Sequence, residues 1–272
     1  MELLFVGSGA ADYPAAMSCG CPNCREAREI GGLNVRTYAS ALVNGRLLLD
    51  CGPTVAWRLA ELDVSGGRVE ALLLTHAHSD HLDSDAIATL ARAADRERPL
   101  RVYGNSAACA ELGAHGDAVA LEEVAPGDVF EAGGMRVVAL PANHDTDNQV
   151  ALNYGLSSAA GSLLYATDTA WPAPQWWELA RAVQPGVLVI EATFGPLAPG
   201  EHPDCLTHHL NWTEAQRLVA ELTTAGILAP QALCYATHLS QHFVPIHDRW
   251  TEATAGSRLQ VAYDGLRITT EA

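Results

Sequence analysis

The 272-residue chain contains no lysine. All sixteen basic residues are arginines, set against 32 Asp and Glu, for a formal net charge of −16. Affinity for nucleic acid comes largely from basic side chains that neutralise phosphates, so this deficit disfavours long RNA or DNA as a partner. The arginines are scattered, the densest group being Arg92, Arg96, Arg98 and Arg101. Long apolar runs are missing too: none approaches the roughly 18 to 20 residues of a membrane span, so no membrane partner is expected. The opening Met1-Glu2-Leu3-Leu4-Phe5-Val6 has no basic stretch ahead of its apolar residues and reads as a strand. No signal peptide and a cytoplasmic location are therefore expected. Seven cysteines, an odd number in a chain this long, argue against a disulfide scaffold. Cys51, Cys109, Cys205 and Cys234 read as ordinary thiols, Cys51 and Cys234 as buried ones. Low-complexity segments and repeat periods are absent.

What is present is concentrated in Thr75-His76-Ala77-His78-Ser79-Asp80-His81. Three imidazoles and a carboxylate fall within six residues, directly after the apolar run Val69 to Leu74 and before a helix-like stretch from Asp83 to Ala94. Short apolar runs of this kind read as buried parallel strands. A turn at the carboxyl end of such a strand is where open α/β sheets bind ligands. Imidazole and carboxylate are preferred by Zn²⁺ and accepted by Mn²⁺ and Fe.

Three later strands end in residues of the same kind. His144 follows Arg136 to Leu140, Asp168 closes Leu163 to Thr167, and His238 closes Leu233 to Thr237. H-x-H-x-D-H followed by these positions in this order resembles the metallo-β-lactamase superfamily along most of the chain. The resemblance implies an α/β fold, an αββα sandwich with the metal site at one edge, as a single domain over residues 1–272. It implies one metal on His76, His78, His144 and Asp168, and a second on Asp80, His81, the bridging Asp168 and His238.

The segment reads consistently with that fold. Tyr38 to Val43 and Leu47 to Asp50 form a hairpin around Asn44-Gly45. Ala56 to Leu62, Trp176 to Val183 and Thr213 to Thr223 read as helices, the last with Asn211 as N-cap. Leu100 to Tyr103, Val119 to Val124, Val129 to Glu131, Met135 to Leu140, Gln149 to Leu156, Ser162 to Ala166 and Val187 to Ala192 read as strands. Gly195 to Pro203 reads as a loop near the site.

Near the amino terminus, Cys19, Cys21 and Cys24 form C-x-C-x-x-C. This spacing suits one tetrahedral metal that takes a fourth ligand from elsewhere. His242, just beyond His238, is the candidate. A redox-active or free thiol group is the alternative reading. With Phe5 to Ala10 and Tyr263 to Leu266, the cluster resembles the PhnP-type phosphodiesterases of the superfamily, which carry an extra structural zinc. The late motif usually reads Thr-His-x-Ser-His there, whereas Gln241 stands before His242 in this chain.

The resemblance implies a hydrolase with two divalent active-site metals, zinc or manganese, holding a hydroxide that attacks a small phosphate ester, cyclic or not. Asp80 belongs to that catalytic set. A phosphodiester also needs a proton donor for its leaving oxygen. In Thr207-His208-His209-Leu210-Asn211 the match to the subfamily favours His209, with His208 second. His115, His202 and His247 match nothing and are expected at the surface. The ligand set serves carbonyl centres equally, so a lactonase remains open, as does a PqqB-type protein of cofactor biosynthesis. The expected partner is a small phosphate ester; a homodimer is compatible with the sequence.

Overall fold

The computed structural model describes residues 1–12, 18–113, 116–146 and 149–270, and His115 lies outside them. Two seven-stranded sheets lie face to face. The first has the order β14-β1-β2-β3-β4-β5-β6 and the second β13-β12-β11-β10-β9-β8-β7. In the first sheet β1 is Glu2–Gly7, β2 Ser40–Val43, β3 Leu47–Leu49, β4 Ala71–Leu73, β5 Leu100–Gly104, β6 Val119–Glu123 and β14 Arg267–Thr269. In the second, β7 is Val129–Ala132, β8 Met135–Thr146, β9 Gln149–Ser158, β10 Gly161–Ala166, β11 Val187–Glu191, β12 Leu233–Thr237 and β13 Leu259–Val261.

The pleat explains the layering. Successive side chains of a strand face opposite sides, so strands buried on both faces carry almost nothing but apolar residues. In β11 the alternate residues Val187 and Val189 enter the core between the sheets, while Leu188 and Ile190 face a helix layer. In β3 Leu47 and Leu49 enter the same central core and Leu48 faces the other helix layer. Helices α1 Pro22–Ile30, α2 Val55–Glu61, α3 Ser84–Ala91 and α4 Ser106–Leu112 precede β6, and α5 Pro174–Val183, α6 Trp212–Thr224 and α7 His247–Ala253 follow β10. The arrangement is the expected αββα sandwich. No helix among the described residues is long and apolar enough to cross a membrane.

Local chemistry sets the ends of these elements. Asn44 and Gly45 take φ of 51° and 67°, the pair of positive values a tight hairpin turn demands. Asp83 caps α3 by accepting the Ala86 amide at 2.7 Å, and Asn211 caps α6 by accepting that of Glu214 at 2.8 Å. Strand β8 runs past Leu140 to Thr146, with a register shift between Pro141 and Asp145 that absorbs the proline. The short helices α1, α4 and α7 and the three-residue strands β13 and β14 carry too little periodicity to be read from sequence.

One corner is pinned by Asp264. Its buried carboxylate accepts the amide and hydroxyl of Ser8 at 2.8 and 2.7 Å and those of Thr37 at 2.8 and 2.6 Å. This ties the end of β1 to the carboxy-terminal segment.

Candidate metal centres

Most candidate residues sit on loops at one edge of the sandwich, at strand ends; His144, expected after a strand ending at Leu140, lies within β8, which continues to Thr146. Asp50 follows β3, the His76–His81 turn follows β4, Asp168 follows β10 and His238 follows β12. Asp50, Asp168 and His238 adopt φ of 59°, 49° and 53°. Left-handed backbone costs a non-glycine residue roughly 1 kcal/mol or more. Three such residues at neighbouring strand ends show a backbone held to aim side chains inward. The turn also crowds the end of β3: a Cβ on Gly52 would lie 2.0 Å from the Asp80 carbonyl oxygen. Only glycine fits there.

The predicted ligands converge. His76 Nε2 and His144 Nε2 lie 2.8 and 3.3 Å from His78 Nδ1. His81 Nε2 lies 3.1 Å from Asp80 Oδ2, 3.0 Å from Asp168 Oδ2 and 3.3 Å from His238 Nε2. His238 Nε2 is 3.4 Å from Asp80 and 3.3 Å from Asp168. The groups His76/His78/His144 and Asp80/His81/His238 each bring their ligand atoms within 4.8 Å of one another, and Asp168 joins His76 and His81 in a third.

Hydrogen bonds behind the site set the tautomers. Nδ1 of His81 donates to Asp50 Oδ2 at 2.9 Å. Thr75 Oγ1 donates to Asp50 Oδ1, and so can only accept from His76 Nδ1, at 3.0 Å. Thr193 Oγ1 donates to Glu191 Oε2 at 2.5 Å and accepts from His238 Nδ1 at 2.9 Å. Nδ1 of His144 donates to the His208 carbonyl at 3.0 Å. All four rings thereby turn Nε2 inward, the outer-layer pattern of histidines that ligate metals.

The electrostatics agree with this. Burial, followed by the neighbouring His81, drives the His76 pKa well below its ordinary value; burial likewise lowers that of His144. Both are neutral donors. Burial opposes a charge on His81, but Asp168, Asp80 and Asp50 outweigh it and raise its pKa. Asp168 Oδ2 is buried, with His81, His238 and no hydrogen-bond geometry around it. Buried carboxylates and neutral imidazoles aimed at common points fit divalent cations.

Asp50 and Glu191 went unnoticed in the sequence, although both are fully buried. Glu191 accepts from the Thr169 amide at 2.5 Å, the Leu210 amide at 3.1 Å, Thr193 and His209 Nδ1, the last at 3.1 Å to either oxygen. Each closes an apolar strand, and a lone carboxylate there was the available signal. The loop pair resolves as follows. The His209 ring reaches the site, with Nδ1 3.7 Å from Asp168 Oδ1. His208 contributes its carbonyl, while its Nδ1 is buried without a partner.

The second cluster also assembles. Sγ of Cys19, Cys21 and Cys24 lie 3.6, 3.7 and 3.3 Å from His242 Nδ1. A tetrahedral zinc with bonds of about 2.3 Å to sulfur and about 2.0 Å to nitrogen has sulfur–nitrogen edges near ~3.6 Å. The extra residue before His242 does not prevent this: Gln241 turns inward and accepts the Arg36 amide at 3.2 Å. Burial and then Cys21 push the Cys24 thiol up, so a thiolate there needs a cation beside it. Cys51 and Cys234 are fully buried, as expected. His247 is buried against Tyr263, not at the surface: α7 turns its first residue inward. His202 is only partly exposed, stacked on Phe194.

A family model described as beta-lactamase superfamily domain matches residues 45–231, well over half of the chain. The chain belongs to the metallo-β-lactamase superfamily, and its His/Asp cluster fits a metal site of that fold. Among curated proteins it is similar to ribonuclease Z of Methanopyrus kandleri, 37% identical over 103 residues, 36% of each chain. A UPF0173 metal-dependent hydrolase of Xanthobacter autotrophicus is 32% identical over 105 residues, 38% of this chain and 43% of that one. Each matched stretch thus spans less than half of the relative's length. Among solved structures, a diphosphatase from the PhnP family superposes with TM-score 0.76 at 21% identity, over 99% of this chain and 97% of that one. Zn²⁺-bound PqqB from Methylobacterium extorquens gives 0.79 at 19%, over 99% and 100%. Human tRNase Z, short form, gives 0.68 at 16%, over 100% of both. At these identities the structures share the fold.

Proposed function

We propose that the chain hydrolyses a small phosphodiester at a pair of divalent cations, zinc or manganese. His76, His78, His144 and Asp168 would hold one cation, and Asp80, His81, Asp168 and His238 the other. Bound there, the pair supplies Lewis acidity at phosphorus and lowers the pKa of a water nucleophile.

The observation that carries the reading is His209. Burial opposes its charge, yet Glu191, followed by Asp168 and Asp80, pushes its pKa up to about 9. With Nδ1–H directed at Glu191, the proton on Nε2 is the one free to move to a leaving oxygen. The opening ring of a lactone would draw on the same donor, so the substrate panel separates the two classes. The 16 arginines against 32 acidic residues favour a small substrate over tRNA, because compact anions are drawn by the local cations whatever the net charge.

The test is a panel of phosphodiesters and lactones assayed with added Mn²⁺ or Zn²⁺, on wild type and His209→Ala. A general acid contributes about 10²- to 10⁴-fold, so the variant should slow diesters with alkoxide leaving groups by that order. It should spare bis-p-nitrophenyl phosphate, whose leaving group needs little help. Equal losses on both would give His209 a binding role. Cleavage of lactones alone, or of a tRNA precursor in preference to every small diester, would overturn the reading.

A further inference from the structure

Beside the candidate centre lies an aromatic wall that none of the ligand chemistry uses. Phe194 leaves β11 three residues after Glu191, His202 comes from the loop that follows, and Phe243 follows His242 beyond β12. The three rings meet although separate loop segments carry them. His202 lies 4.7 Å from Phe194 with a 30° tilt and 5.3 Å from Phe243 at 61°, and the two phenylalanines are 5.5 Å apart. Phe194 also presents an edge to His209, with centroids 5.8 Å apart at 71°. The wall therefore starts at the ring that faces Asp168 and leads outward.

Exposure and tautomer define what it could take. Phe194 is buried, whereas Phe243 is half-buried and the His202 side chain is 31% exposed. His202 Nδ1 accepts the Asp204 amide at 3.2 Å. With Nδ1 accepting, the ring's proton sits on Nε2, a donor at the rim of the cluster; the Asp204 carboxylate lies 3.8 Å from Nδ1. An aromatic face with a hydrogen-bond donor on its rim suits a planar ring that bears acceptor nitrogens. We propose that His202 and Phe243, backed by the buried Phe194, form a stacking subsite for a heteroaromatic group attached to the phosphate ester. This rests on the phosphodiester reading for its placement: a group bonded through the leaving oxygen near His209 would extend towards His202.

Two pairs of compounds test it. The first compares hydrolysis of 2′,3′-cyclic AMP with that of ribose 2,3-cyclic phosphate, which lacks the base. The second compares calorimetric binding of AMP and ribose 5-phosphate to the protein carrying its metals. Stacking of one base on aromatic side chains corresponds to roughly tenfold in affinity. The wild type should prefer the adenine compound in both pairs by about that factor. His202→Ala should abolish the preference, and His202→Phe, which keeps an aromatic face, should restore most of it. Equal affinity of the wild type for AMP and ribose 5-phosphate would overturn the subsite, as would an unchanged preference in His202→Ala. If neither cyclic phosphate is hydrolysed, the binding pair still decides whether the wall takes a planar ring, and the diester reading is decided by the wider panel.

Discussion

Gln149 Oε1 accepts the backbone amide of Ala77, between the two first histidines of the metal motif, at 2.9 Å. The bond crosses from one sheet to the other. The same oxygen receives Asn105 Nδ2 at 3.3 Å, and two further bonds run alongside: the Leu152 amide to the Thr75 carbonyl and Tyr154 Oη to the Leu74 carbonyl, both at 2.8 Å. Strand β9 thus clamps the His76–His78 turn. Gln149 pairs with Thr146 across the hairpin whose other strand carries His144, so this one side chain ties the third histidine to the first two.

Gln149→Met keeps the length of that side chain and removes its acceptor. Outer-layer substitutions typically cost about 10- to 100-fold in metal affinity. We expect a loss of that order at the His76/His78/His144 site, read by Mn²⁺ titration, with recovery in Gln149→Glu. Zinc at the cysteine cluster is the internal control and should be unaffected. Unchanged manganese affinity in Gln149→Met would remove the clamp from the account.

Asp168 is the carboxylate that both proposed cation sites would share. Purified protein is expected to hold more than one active-site equivalent of metal, and Asp168→Ala to lose most activity together with at least one equivalent. Elemental analysis beside an activity assay checks this. Full activity in the variant would rule out the shared role.

The cysteine cluster ties the amino-terminal segment to the loop after β12. Thiolates favour Zn²⁺ over Mn²⁺, so zinc should stay there when the dinuclear site is exchanged into manganese. Metal binding of this kind is folding free energy. Cys21→Ser should therefore lower the Tm by several degrees while Mn²⁺-supported turnover changes little. A variant with the Tm of the wild type and an anomalous map without density among the four residues would both speak against the assignment.

Most candidate ligands were legible because they are polar residues at the end of an apolar strand, in an order that a known family shares; His144 instead stands inside β8, which runs on to Thr146. The αββα layering was legible for the same reason: strands such as Val187–Glu191 are too apolar to be covered on one face only. What could not be read is what depends on partners distant in sequence. Nothing near Asp50 shows that it will take His81 Nδ1, 31 residues on, and nothing near Glu191 marks it as the acceptor for His209. His247 looks like a surface residue of a short polar helix until α7 is docked and its ring meets Tyr263. His202 looks equally idle until Phe194 and Phe243 close around it.

The pH dependence of turnover follows from His209. Burial favours its neutral form, but Glu191 and then Asp168 and Asp80 prevail, and the pKa rises to about 9. A raised imidazole pKa means that the proton is held through neutrality and lost as pH climbs through the raised value. Cations on Asp80 and Asp168 would cancel the share of the shift those two supply. Glu191 has no place among the ligands, and its share stays. The alkaline limb of kcat for an alkoxide-leaving diester is therefore expected no higher than about 9. Glu191→Gln removes the negative charge while keeping an acceptor for Nδ1–H. It should move that limb towards lower pH, and His209→Ala should abolish it. A pH–rate profile of the three proteins, each with the same bound metal, checks the chain of inference. An alkaline limb that persists unshifted in His209→Ala would assign it to another group and leave His209 without a role in proton transfer.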